Sequence, residues 1–149
     1  MAPELAVRSR AGRTAARLAR ALEVALASVD LSPSQYRVLM FLDAGDAAAS
    51  ALADNLAVTR PSVTTVVDGL VARGLVERRH DENDRRRVGH AITREGREAL
   101  AAADDVVEAR LCQYTTMLRP AESDAAYRGL DLWRAGMDAV RESKRGTHR

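Results

Sequence analysis

Thr59-Arg60-Pro61-Ser62-Val63-Thr64-Thr65-Val66-Val67-Asp68-Gly69-Leu70-Val71-Ala72-Arg73-Gly74 is the stretch on which the fold turns. At 100° per residue, Val63, Val66, Val67, Leu70 and Val71 gather on one side of a helix, while Pro61, Thr64, Thr65, Asp68 and Gly69 gather on the other. Thr59 is placed to cap that helix, and Pro61 falls in its first turn, where no intrahelical N–H is needed. Gly74 supplies the left-handed residue that stops it. The outer side therefore offers small hydrogen-bonding groups and no bulky apolar one.

After Gly74 the period changes. Leu75 to His80 and Val88 to Ile92 read as short strands flanking the charged loop Asp81-Glu82-Asn83-Asp84-Arg85-Arg86-Arg87, which predicts a β-hairpin. Val88, His90 and Ile92 should share one face, although Gly89 and His90 weaken the second strand by propensity. Upstream, Ser50 to Leu56 reads as a short helix joined to the two-faced one through Ala57-Val58-Thr59. Helix, tight turn, second helix with a polar outer side and a hairpin with an arginine-rich tip form a physical kit for duplex DNA. The second helix fits the major groove, and the tip reaches toward the strong negative potential of the adjacent minor groove. Asp81, Glu82 and Asp84 nearly cancel the positive charge of that tip, which a general phosphate binder would not want. A carboxylate two positions before an arginine can hold its guanidinium by forked hydrogen bonds, and Asp84 with Arg86 fits that role. The loop alone would equally suit a solvated turn; the two-faced helix before it favours DNA.

Further out the chain is helical. Ala15, Leu18, Leu22, Ala25 and Val29 make one stripe over Arg13 to Val29, broken by Asp30-Leu31-Ser32-Pro33. Ser32 is placed as the N-cap and Pro33 as a first-turn residue of a second helix that runs to about Ala44 and ends at Gly45. From Thr93, Leu100, Ala103, Val107, Leu111, Tyr114 and Leu118 recur at steps of three or four, giving roughly 28 Å of apolar stripe at 1.5 Å per residue. Arg119-Pro120 breaks that helix. From Ala121 a last one carries Ala126, Leu130, Trp133, Met137 and Val140, and Ser143 to Arg149 reads as a basic, frayed tail.

Composition limits what these helices can enclose. The 149 residues are 46% apolar, but alanine supplies much of that and only five residues are aromatic. Alanine forms helices well and fills cores poorly, so the long stripes call for burial against a second chain. Of 23 basic residues only Lys144 is a lysine, and the net charge of +2 says little by itself.

Residues 50 to 96 resemble the winged helix-turn-helix of MarR-family transcription regulators. The likeness rests on the leucines and alanines of Ser50 to Leu56, the Thr59-Arg60-Pro61-Ser62 start, the Arg73-Gly74-Leu75-Val76 exit, Asp84-Arg85-Arg86 and Ile92-Thr93-Arg94-Glu95-Gly96. The order of helices extends it over the whole chain. The fold implied is mainly α, a winged helix-turn-helix DNA-binding core with a β-hairpin wing at residues 31–96. Residues 1–30 and 97–149 would be a helical dimerisation region. The resemblance implies that Thr59, Arg60, Pro61, Ser62, Thr64, Thr65 and Asp68 face DNA from the reading helix. It gives Arg86 to the minor groove with Asp84 as its positioning partner, and Arg78, Arg79, Arg85 and Arg87 mainly to phosphates. It also implies pairing through Leu18, Leu22, Leu111, Tyr114, Leu118, Leu130, Trp133, Met137 and Val140. Thr65 and Gly69 stand where many relatives carry arginine or another long polar residue, and Gly89 and His90 replace apolar residues of the wing.

The remaining candidates are weaker. The resemblance leaves room for a small-molecule effector in a pocket lined by Tyr36, Met117 and Trp133, whose helical spacing also fits a core. Cys112 rules out an intrachain disulfide and lacks an adjacent base to activate it. His80 and His90 have no third ligand placed by motif, and Asp104-Asp105 reads as solvated. No metal or cofactor is expected. No nucleophile with its base, Gly-rich phosphate loop or nucleophile elbow appears, so an enzyme is not expected. Arginines interrupt Ala6 to Leu26, and no apolar run approaches the roughly 20 residues of a spanning helix, so a cytoplasmic protein without a membrane partner is expected. The resulting expectation is a homodimeric, sequence-specific repressor of transcription, responsive to a ligand and bound to a pseudo-palindromic operator. The alternative is a winged-helix module that binds RNA or protein without an operator.

Overall fold

Ser32, Pro33 and Gln35 show how closely local chemistry sets the elements. Gln35 N–H donates to Ser32 Oγ at 3.2 Å while Ser32 N–H donates to Gln35 Oε1 at 2.9 Å, a reciprocal cap with Pro33 in the first turn. A computed structural model describes residues 3–45, 47–48, 60–80 and 88–146. Its elements are α1 (Pro3–Ala27), α2 (Pro33–Asp43), β1 (Ala47–Ala48), α3 (Arg60–Ala72), β2 (Val76–His80), β3 (Val88–Ile92), α4 (Arg94–Thr115) and α5 (Pro120–Gly146). The mainly α fold with a hairpin is therefore observed. The expected helix over Ser50 to Leu56 and the turn through Thr59 lie outside the described residues.

Several boundaries differ from the sequence reading. The first helix begins at Pro3, not Arg13, because alanine and arginine both favour helix and need no apolar stripe to sustain it. It ends at Ala27, with Asp30 in a left-handed conformation (φ 55°) and Leu31 N–H bonded back to Leu26 O. The long helix stops at Thr115, short of Leu118. There the Thr115 hydroxyl donates to the carbonyls of Leu111 and Cys112, and Thr116 to Leu118 turn back by short-range bonds. The last helix starts at Pro120 and runs to Gly146, so the expected fraying at Ser143 is not seen there. Arg134 with Asp131 and Asp138, and Arg141 with Asp138, pair at helical spacing along it.

The sheet has the order β1-β3-β2, all antiparallel. Ala47 and Ala48, part of an alanine cluster that carries no strand pattern, pair with His90 and Gly89. β3 is thus the central strand, held on both edges, which offsets its poor propensity. The register pairs Val76 with Ile92, Arg78 with His90 and His80 with Val88, placing Val88, His90 and Ile92 on one face as expected.

The chain divides into two compact units, Met1–Arg110 and Leu111–Arg149. In the first, Leu26, Leu31, Val38, Leu39, Leu42, Val63, Val67, Leu70, Leu75, Val76, Ile92, Leu100 and Ala103 form one core. In the second, none of the described residues is buried. Among the described residues no helix is long and apolar enough to cross a membrane.

Candidate nucleic-acid interface

α3 is oriented by its own sequence. Val63, Val67 and Leu70 are essentially inaccessible and Val66 and Val71 pack at the edge of the core, so Thr64, Thr65 and Asp68 are left exposed on the outer side. Gly69 sits between these faces near Gln35 of α2. A methyl group there would stand 3.9 Å from Gln35 Nε2, an ordinary contact, so no crowding within the chain requires glycine at this site.

The end of α3 is tightly defined. Gly74 has φ 71°, its N–H donates to Val71 O, and Leu75 N–H reaches back to Leu70 O, closing the helix with a left-handed residue. Arg73 Nη1 donates to Asp30 O at 2.7 Å, tying this end to the α1–α2 connection. The Thr93 hydroxyl donates to Gly74 O at 2.7 Å and accepts from Gly96 N–H at 3.0 Å, so one side chain joins the stop of α3 to the start of α4. Gly96 is buried, and a Cβ there would collide with Leu75 O and Ile92 Cγ1.

Of the arginines expected at phosphates, the two among the described residues, Arg78 and Arg79, are engaged within the protein. Arg78 Nη2 donates to Asp68 Oδ1 at 2.5 Å, and Arg79 pairs with Glu77 at 2.9 Å. Arg60, Pro61 and Ser62 occupy the first turn of α3. Thr59, Asp84, Arg85, Arg86 and Arg87 lie outside the described residues.

Of the residues expected to pair two chains, Leu18, Leu22 and Leu111 are half-buried. Tyr114, Leu118, Leu130, Trp133, Met137 and Val140 are exposed, Trp133 to 70%. Tyr127 and Leu132, which the stripe omitted, are exposed as well. Of the pocket candidates, half-buried Tyr36 belongs to the first unit, while Met117 and Trp133 are exposed in the second. Cys112 is exposed on α4, and His90 is buried in the sheet.

One contact escaped the sequence. Asp104, read as solvated, accepts a hydrogen bond of 2.5 Å from the Tyr36 hydroxyl. Burial, then that bond, then the carboxylate charge push the Tyr36 phenol well above its usual range. Tyr36 and Asp104 are separated by 68 positions, so no local pattern announces the pair.

Comparison with known proteins places this geometry. A family model described as MarR family matches residues 29–87. YfiV of Bacillus subtilis, an uncharacterized HTH-type transcriptional regulator, is 30% identical over 105 residues, covering 70% of this chain and 66% of that protein. YetL, an HTH-type transcriptional repressor of the same bacterium, is 38% identical over 73 residues, 47% of this chain and 44% of its own. The chain thus spans about two thirds or less of these curated relatives. Among solved structures, the transcriptional repressor CouR bound to a 23-mer DNA duplex superposes with a TM-score of 0.70 at 30% identity, over 83% of this chain and 88% of CouR.

Proposed function

The chain belongs to the MarR family, and from that premise we propose that it is a homodimeric, sequence-specific DNA-binding repressor of transcription, not an enzyme. The observation that carries this reading is the two-faced α3, which buries Val63, Val67 and Leu70 and turns Thr64, Thr65 and Asp68 outward. Hydroxyls on an exposed helix face suit base edges in a major groove, and the one carboxylate among them is held by Arg78. CouR, of similar fold, is bound to a DNA duplex. In this reading residues 31–96 bind DNA, and residues 1–30 with 97–149 pair two subunits. Thr59, Arg60, Pro61 and Ser62 bring the helix N-terminus to the backbone, where its N–H groups favour phosphate. Arg86, positioned by Asp84, enters the minor groove, flanked by Arg85 and Arg87 at phosphates. The exposed apolar residues of the second unit are covered by a second copy, so the operator is a pseudo-palindrome with half-sites about 10 bp apart. A small-molecule effector releases DNA if it binds better to the dimer whose reading helices are wrongly spaced. The protein works in the cytoplasm.

Selection of bound fragments from a random duplex library tests the reading. The expected result is enrichment of one two-fold symmetric sequence, with no matching affinity for double-stranded RNA, whose deep, narrow major groove excludes a helix. A library that emerges without enrichment overturns it.

A further inference from the structure

Asp68 and Arg78 were both expected at DNA, yet they are joined to each other, from the outer side of α3 to strand β2. A carboxylate facing a polyanion is unfavourable unless a cation offsets it. A cation beside that face adds affinity only if a phosphate can claim it. Joined at 2.5 Å, the two side chains cancel in net charge. Both are about half exposed, at 49% and 52%, so solvent and a docked duplex can reach the pair. The neighbouring Arg79 also carries an acid of its own, Glu77, at 2.9 Å. Each of the two arginines of β2 is thus matched by an acid.

We propose that Asp68 is a specificity-determining residue that withholds Arg78 from the phosphate backbone. The inference rests on the DNA-binding reading above. Sequence-independent affinity comes almost wholly from phosphate neutralisation, whereas operator affinity also draws on base contacts. Silencing one cation per subunit lowers binding to arbitrary DNA while the base contacts of the operator remain, so the ratio between the two rises. Asp68 therefore discriminates by removing indiscriminate attraction.

Fluorescence anisotropy on the full chain tests this, with the selected operator and a scrambled duplex of equal length titrated across a series of salt concentrations. Asp68→Asn keeps the shape and releases Arg78. It should bind the scrambled duplex about fivefold more tightly per subunit near physiological salt, with the salt slope steeper by roughly 0.9 per subunit. The operator-to-scrambled ratio should fall. Asp68→Asn combined with Arg78→Gln should return the slope to that of the wild type. An exposed ion pair adds little to stability, so both variants fold, which circular dichroism checks. The proposal is overturned if Asp68→Asn leaves the slope unchanged. It is equally overturned if the double variant falls below the wild type by about 0.9, since Arg78 would then already neutralise a phosphate. A wild type that binds neither duplex overturns the DNA-binding reading instead.

Discussion

The Tyr36 hydroxyl donates to Asp104 Oδ1 at 2.5 Å and so fastens α2 to the first half of α4. Arg97 and Asp43, 3.3 Å apart, make a second tie between the same helices. Tyr36→Phe should cost about 1 kcal/mol in urea denaturation, the net worth of one hydrogen bond. The bond needs the neutral phenol, and the folded protein holds its pKa above the ordinary value of 10.0. Its stabilisation is therefore complete below about pH 10 and disappears as pH rises through the raised folded value. The stability gap between wild type and Tyr36→Phe should be constant from neutral pH to about 9 and shrink above 10. A gap independent of pH would show that the hydroxyl contributes through packing alone.

Two glycines make opposite predictions. Gly96→Ala drives a methyl group into Leu75 O and Ile92, where backbone cannot yield, and should destabilise by about 1 to 3 kcal/mol. Gly69→Ala meets only ordinary contact and should stabilise by about 0.5 to 1 kcal/mol through helix propensity. Chemical denaturation of the two variants beside the wild type decides both.

Trp133→Glu places a charge in the middle of the exposed apolar face of α5. A buried tryptophan anchor is worth about 2 kcal/mol or more, so dimer dissociation should rise at least about thirtyfold while helicity is retained. Sedimentation velocity over a dilution series measures this, and an unchanged dimer would place the interface elsewhere.

Arg86→Ala should weaken operator binding by about 1 to 3 kcal/mol and leave the dimer intact. A gel shift at physiological salt reads the effect. Equal affinity of variant and wild type removes Arg86 from the minor groove.

What the sequence made legible was periodic or local. The buried stripe of α3, the Ser32 cap, the Gly74 stop and the two hairpin strands all follow from residues within a few positions of one another, and all are present. What it concealed depends on distance along the chain. β1 is a strand only because β3 offers it a free edge, and two alanines carry no alternation to betray that. Asp104 has a partner on another helix, and Gly96 is dictated by a carbonyl from Leu75. The extent of α1 was missed for a different reason: its first turns are held by alanine and arginine propensity, which leaves no stripe to follow. At the candidate interface, residue types announced a polar helix face, but only coordinates reveal that Arg78 is paired with Asp68.

The Thr93 hydroxyl, bonded to Gly74 O on one side and to Gly96 N–H on the other, joins the end of α3 to the start of α4 through a single atom. Removing that one hydroxyl would strip a partner from the end of α3 and from the start of α4 together.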